Sequence, residues 1–248
     1  MGVIYVGDRF VGKTHLALEL TNPSYEYVKV LSPEYQDLKA LLWDAENNST
    51  KATDADSATH RKQIEIQVKL PAPKQILVEW VDTPGEIWRS SWQQNNADGW
   101  QKFLELVKES TGIIVVLPPY REMISIGKDA DLFLTQTQWS NRFEEWTNFL
   151  TTNCPNLKHL LFCMNKADLF CNFQQEGAKL KYDPRGSTMN WQQRNNYVFQ
   201  RYFRSTEPYL KQITDKNPSL SIRCFITTVY DRSLLELPWL YLGSFLES

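Results

Sequence analysis

The sequence predicts an α/β protein of three layers, with helices on both faces of a mostly parallel sheet. Three observations carry this expectation. Short apolar runs of strand length alternate with amphipathic helical stretches along the whole chain. The 248 residues are 42% hydrophobic and 23% charged, enough apolar material for one sizeable core. No internal repeat and no second core interrupts the alternation, so residues 1–248 are expected to form a single domain.

The elements follow in order. Gly2-Val3-Ile4-Tyr5-Val6 is a run of β-formers, and after a glycine-bounded loop Leu16, Ala17 and Leu20 share one helical face. Residues 44–62 hold no large apolar side chain and are rich in Asn, Asp, Ser and Thr, which favours a mobile polar loop. Ile64, Ile66 and Val68 alternate, the turn Pro71-Ala72-Pro73-Lys74 follows, and 76–81 is apolar again, so a hairpin of two antiparallel strands is expected. Trp100, Phe103, Leu104 and Val107 mark a helix face, and 112–117 a buried strand. Trp139, Phe143, Trp146 and Leu150, spaced by four, three and four, form the stripe of another helix. His159–Met164 is the next strand; 171–190 looks like an insertion or a linker to a helix over 191–213. Residues 221–227 are a final strand, and 234–246 a closing apolar helix with Pro238 near its start.

Composition excludes some functions. With 27 basic and 29 acidic side chains the net charge is −2, which gives no general reason to bind nucleic acid or an anionic bilayer. No run approaches a membrane span, and the start lacks the charged-then-apolar order of a signal peptide, so a soluble cytoplasmic protein is expected. Val6 stands where N-myristoylation needs Ser or Thr. Cys154, Cys163, Cys171 and Cys224 show no CxxC pair and no histidine at zinc spacing, and read as structural thiols.

The chemistry concentrates in three motifs. Residues 7–14, GDRFVGKT, match GxxxxGK[ST] between a strand and a helix. Glycines let the backbone wrap closely so that amides and a helix N-terminus face phosphates. Gly7, Asp8, Arg9, Phe10, Val11, Gly12, Lys13, Thr14 and His15 are therefore the candidate phosphate-binding residues. Lys13 would reach the β- and γ-phosphates, and the Thr14 hydroxyl would coordinate Mg²⁺. Asp82-Thr83-Pro84-Gly85 ends a predicted strand, where Asp82 could hold Mg²⁺ through water and the Gly85 amide could approach a γ-phosphate. Asn165-Lys166-Ala167-Asp168 ends another. There the Asp168 carboxylate can accept two hydrogen bonds from guanine N1 and its exocyclic amine, which adenine cannot supply. Asn165 would brace neighbouring loops, and the Lys166 stem would cover the base.

With these three motifs the chain resembles the translation-factor-like class of P-loop GTPases, which contains Ras-like and Era-like proteins. The resemblance implies a P-loop NTPase fold with a six-stranded sheet containing one antiparallel strand, GTP binding, Mg²⁺-dependent hydrolysis and a switch between two loop conformations. It places the guanine-contacting loop at Thr227-Thr228-Val229, although the usual Ser-Ala-Lys is missing. It places the Mg²⁺-binding switch threonine at Thr59, 23 positions before Asp82, with Thr53, Thr50 and Ser57 as competitors. Two departures bear on mechanism. Arg9 and Phe10 replace small residues, so Arg9 could crowd an incoming arginine finger or itself approach the γ-phosphate. Glu86 follows Gly85 in place of a water-orienting glutamine; it could orient or deprotonate water but would repel the phosphate, so intrinsic hydrolysis is expected to be slow.

Nine tryptophans remain to be explained. Trp139 and Trp146 read as core; Trp88, Trp92 and Trp100, among polar neighbours, point to a nucleotide-sensitive protein-partner surface over 86–100, or to rings packed beneath the switch. Arg194, Arg201 and Arg204 read as a solvated helix face. The principal expectation is a GTPase switch with Lys13, Gly85 and Glu86 in the chemistry. A non-hydrolysing guanine-nucleotide scaffold is the alternative, and Asn165-Lys166-Ala167-Asp168 disfavours an ATPase or kinase. A chain that begins on a strand and ends on an apolar segment also fits a domain taken from a larger protein.

Overall fold

In the computed structural model, residues 2–8, 11–44, 49–50, 60–82, 90–125, 130–186 and 189–246 are described. Their main sheet has seven strands in the order β2-β5-β6-β1-β7-β8-β9. The strands are β1 (Val3–Gly7), β2 (Val28–Ser32), β5 (His60–Val68), β6 (Lys74–Asp82), β7 (Gly112–Leu117), β8 (His159–Met164) and β9 (Ser221–Ile226). A separate antiparallel pair joins β3 (Trp43–Asp44) to β4 (Ser49–Thr50). The helices are α1 (Lys13–Thr21), α2 (Tyr35–Leu42), α3 (Ser90–Asn95), α4 (Ala97–Glu109), α5 (Gln136–Asn153), α6 (Phe173–Leu180), α7 (Trp191–Val198), α8 (Glu207–Lys216) and α9 (Arg232–Phe245).

The α/β class and the mostly parallel sheet are as expected. β1 lies between β6 and β7, parallel to both, and β7, β8 and β9 continue in parallel. β5 is antiparallel to both neighbours, so it alone opposes the other six strands. The expected count of six is corrected to seven by β2. Among the described residues this edge strand pairs only with β5, and its first side chains alternate between buried Val28 and exposed Lys29, a weaker signal than the continuous apolar run of a buried parallel strand. What places it is polar and distant in sequence. Glu236 of α9, fully buried, accepts the backbone N–H groups of Glu26 and Tyr27 at 3.0 and 2.7 Å. Arg232 pairs with Glu236 at 2.6 Å and donates to the carbonyls of Glu19, Leu20 and Val28, tying the end of α1 and the start of β2 to α9.

Register assigns the two faces. Val6, Val115 and Phe162 are aligned across β1, β7 and β8, and Phe162 meets Phe143 of α5 at 4.6 Å between ring centres. Tyr5 belongs to the opposite face and meets Trp239 of α9 at 5.8 Å. Helices α4 and α5 thus cover one face, with Phe103 stacked on Phe149 between them, while α1 and α9 cover the other.

Other differences have physical reasons. β5 takes in His60, Arg61 and Lys62, which shortens the polar stretch assigned to 44–62. Among the described residues β2 pairs only as far as Glu65 and β5 beyond it has no partner on that side, and at a sheet edge backbone pairing tolerates polar residues. The 171–190 segment is not a plain linker: it contains α6, whose Gly177 lies so close to Asp231 that an added Cβ would sit 2.3 Å from a carboxylate oxygen. Further along the segment Tyr182 stacks on Trp191, the first residue of α7, whose ring in turn meets Tyr241 of α9. The single helix expected over 191–213 is instead α7, a π-turn at Phe199–Phe203, a 3₁₀ turn at Arg204–Thr206 and then α8, interrupted where Tyr202, Phe203 and Thr206 must all face inward. The closing helix begins at Arg232, capped by Asp231, which puts Pro238 in its interior. Among the described residues no helix is long and apolar enough to cross a membrane.

Candidate functional site

The chain runs outward from β1 on one side of the sheet and returns through β7 on the other, so β1 and β7 border the crevice where open α/β sheets hold their ligands. Gly7 closes β1 with its α-carbon against β7: a Cβ there would lie 2.3 Å from the Val116 carbonyl oxygen. Gly12, at φ +89°, starts α1 in the left-handed region, and a Cβ would fall 2.7 Å from Asn165 Nδ2. Both glycines are thus demanded by close approach, one to a strand and one to a side chain of another loop. Lys13, 5% exposed, folds back so that its Nζ donates to the carbonyls of Gly7 and Asp8, each at 2.8 Å. Thr14 is half-buried in the first turn of α1, and His15 packs its ring 5.8 Å from Trp43. Burial lowers the His15 pKa, with Glu19 opposing.

Asp8 introduces a partner that no motif announces. Its two carboxylate oxygens accept from Arg142 Nε at 2.9 Å and Nη2 at 3.1 Å, a forked pair reaching from α5. Arg142 Nη1 also donates to Glu145 at 2.6 Å. Burial works against the Arg142 charge, but the hydrogen bonds and field of Asp8, then those of Glu145, outweigh it and hold the guanidinium pKa above its ordinary value. The sequence signal that could have found it is position: a helix following β7 runs back along the sheet, so its early turns lie level with the strand ends.

The second cluster lies where β8 and β9 end. Asn165, 3% exposed, donates from Nδ2 to the Val11 carbonyl at 2.8 Å and accepts from Thr227 Oγ1 at 3.2 Å. It therefore joins the loop after β1 to the loop after β9, the bracing expected of it. Lys166 is in the left-handed region at φ 61°, and its Nζ lies 5.3 Å from the Phe133 ring centre. Burial lowers its pKa while Asp168 works against the change. Asp168 accepts from buried Thr228 at 2.6 Å, and the Ala167 N–H donates to the Thr227 carbonyl at 3.0 Å. Val229 is partly buried against the core. Phe133 is a contact the sequence reading missed, since no motif marks it.

The remaining candidates divide. Asp82 ends β6, paired in register with His60, next to β1. Thr50 lies in β4. Arg9, Phe10, Thr53, Ser57, Thr59, Thr83, Pro84, Gly85, Glu86 and Trp88 lie outside the described residues. Of the two readings of the tryptophans over 86–100, packing describes Trp92, buried at 9% exposure, and Trp100, partly buried against Phe103 and Phe149. Trp139 and Trp146 are core residues as expected. Arg194 is not solvated: it is 3% exposed and donates to the carbonyls of Leu180 and Lys181 at 2.6 and 2.7 Å. Burial pushes the thiol pKa of Cys154 up to about 12 and that of Cys171 to about 11, and raises those of Cys163 and Cys224 as well, so none is poised as a thiolate.

No protein-family model matches the chain. No curated protein matches it in sequence. Solved structures of similar shape include the signal recognition particle receptor SRb-GTP/SRX complex from Chaetomium thermophilum, at 14% identity and TM-score 0.47, covering 98% of this chain and 97% of that one. A structure described as nucleolar GTP-binding protein 1 from Plasmodium falciparum gives 14% identity and TM-score 0.44 over 97% of this chain and 82% of that one. A probable GTP-binding protein, engB, gives 15% identity and TM-score 0.40 over 95% and 93%. With scores this low the likenesses carry no weight of their own. The fold rests on strand order and register, and the function on the residues of this chain.

Proposed function

We propose that this protein binds guanine nucleotide and hydrolyses GTP to GDP and phosphate as a conformational switch acting on a protein partner. The observation that carries the reading is the Asn165 side chain, which hydrogen-bonds Val11 and Thr227 and so gathers the GxxxxGK[ST] loop, the Asn165–Asp168 loop and the loop after β9 at one end of the sheet. A site of that composition suits a ligand with phosphates at one end and a base at the other. Lys13 and the amides of 7–14 would bind the phosphates. Asp168, steadied by Thr228, would accept from guanine N1 and its amine, and Lys166 would lie along the base. His15 and Val229 would border the site.

Thr14 is in the first turn of α1, which follows the loop after β1, and Asp82 ends the strand beside β1. Oxygen donors of this kind suit Mg²⁺, and Thr14, Asp82 and Thr59 are the residues that would hold it. The ion would neutralise charge on the β- and γ-phosphates. The chain's own residues then set the rate: the Gly85 amide would orient the γ-phosphate and Glu86 the attacking water, with slow turnover because a carboxylate repels the phosphate. That same repulsion favours the second reading, a scaffold that binds guanine nucleotide without turnover.

Phosphate release measured with GTP and with ATP, beside equilibrium binding of GDP, tests the proposal. Turnover of GTP and not of ATP is the expected result. Tight GDP and GTP binding without turnover would establish the scaffold, and a preference for ATP would overturn both.

A further inference from the structure

The loop meant for phosphates carries an acid of its own. Asp8 stands five positions before Lys13, and its backbone carbonyl is one of the two that hold the Lys13 ammonium. A bare carboxylate there would act twice against a polyphosphate: it would repel the ligand and would compete for the lysine that should meet it. The fold supplies a counter-charge from far along the chain. Arg142 grips both oxygens of Asp8 in a fork, with the side chains only 25% and 16% exposed, so solvent screens the pair incompletely. Glu145, a second carboxylate that Arg142 meets, is 61% exposed and can be hydrated without help.

We propose that Arg142 is a positioning residue for the phosphate loop: by neutralising Asp8 it leaves the Lys13 charge to act on phosphate, and by fixing Asp8 it holds the carbonyl against which Lys13 is set. The inference rests on phosphate binding at this loop, as in the proposed function. It assigns Arg142 no contact with the nucleotide. A purely structural bridge between α5 and the loop would show up as lost stability; charge compensation shows up as lost phosphate affinity that returns when the carboxylate is removed.

The test is a double-mutant cycle read by equilibrium binding of fluorescent GDP and GTP analogues, with thermal unfolding followed in parallel. Arg142→Gln is expected to weaken both nucleotides by at least about tenfold. Adding Asp8→Asn to Arg142→Gln is expected to bring affinity back to within about threefold of the starting protein, and Glu145→Gln to change it by less than about twofold. Arg142→Lys keeps the charge but not the fork and serves if the Gln variant does not fold; it should weaken both nucleotides by less than about tenfold. Unchanged affinity in Arg142→Gln, a loss that Asp8→Asn does not recover, or a tenfold loss in Arg142→Lys would overturn the proposal. If the unsubstituted protein binds the GTP and GDP analogues at no concentration, the nucleotide reading fails first and the proposal falls with it.

Discussion

On the side of the site that would meet the base, neutral and acidic side chains hold one another: Asn165 joins Val11 to Thr227, and Thr228 donates to Asp168. On the phosphate side the same task falls to full charges, with Lys13 turned onto two carbonyls of its own loop and Asp8 forked onto Arg142. The difference concerns what binding must undo. On the proposed function the base side would keep its hydrogen bonds when a nucleotide arrives and would need little rearrangement. The phosphate side has charges compensated internally, so on the proposed function a polyphosphate would have to draw Lys13 into sharing its donors, and affinity would depend on Lys13, Asp8 and Arg142 together. Preorganisation on one side and compensation on the other give the two halves separate mutational signatures.

The largest effect is expected at Lys13. Lys13→Met removes the ammonium, and since hydrogen bonds to charged groups are worth about 1.5–3 kcal/mol, GDP affinity should fall roughly a hundredfold while guanosine binding is little altered. Calorimetric titration with each ligand measures the contrast; an equal loss for both would erase the distinction between the halves. Asn165→Ala comes next. It leaves a buried loop carbonyl and a buried threonine without their partner, so unfolding in urea should show a loss of about 2 kcal/mol, and GDP and guanosine should weaken together. A loss confined to GDP would mean that Asn165 serves the phosphate side alone.

The smallest effect is at His15, on the first turn of α1. Its folded pKa lies below the ordinary value, mainly through burial, so the unfolded chain takes up more protons in the window just below pH ~6.5. The stability tied to the neutral ring is present above that pH and is lost as pH falls through the folded pKa. His15→Gln should flatten the decline in Tm between about pH 7 and about pH 5. An unchanged decline would show that other groups set it.

How much of this was legible in the sequence varied with the kind of signal. The α/β class, the β5–β6 hairpin and the strands β1, β7, β8 and β9 were readable because apolar runs and alternation are local properties. β2 was not, since only Val28 of its five side chains is fully buried and its placement depends on Arg232 and Glu236, more than two hundred residues away. The motif marked Gly7 and Gly12 for wrapping around phosphate; the contacts that demand glycine there, with Val116 and Asn165, were not legible, whereas Asn165 does hydrogen-bond the Val11 carbonyl as a bracing residue would. Arg142 and Phe133 were not legible, because neither belongs to a motif and each acts through a residue distant in the chain. The tryptophans divide: helical spacing marked Trp139 and Trp146 as core, whereas the polar neighbours of Trp92 left exposure and packing both open, and its ring is buried.

The central claim is that Asp168 reads a guanine base, and its chemistry offers a direct reversal. A carboxylate accepts from guanine N1 and its amine; an amide at the same position can donate instead, which suits the carbonyl that xanthine carries in place of that amine. Competition of GDP, XDP and ADP against a fluorescent nucleotide, in the unsubstituted protein and in Asp168→Asn, is the measurement. The account predicts GDP preferred by at least about a hundredfold in the first and XDP overtaking GDP in the second. Equal affinity for GDP and ADP in the unsubstituted protein, or an Asp168→Asn variant that keeps its preference for GDP, would contradict it.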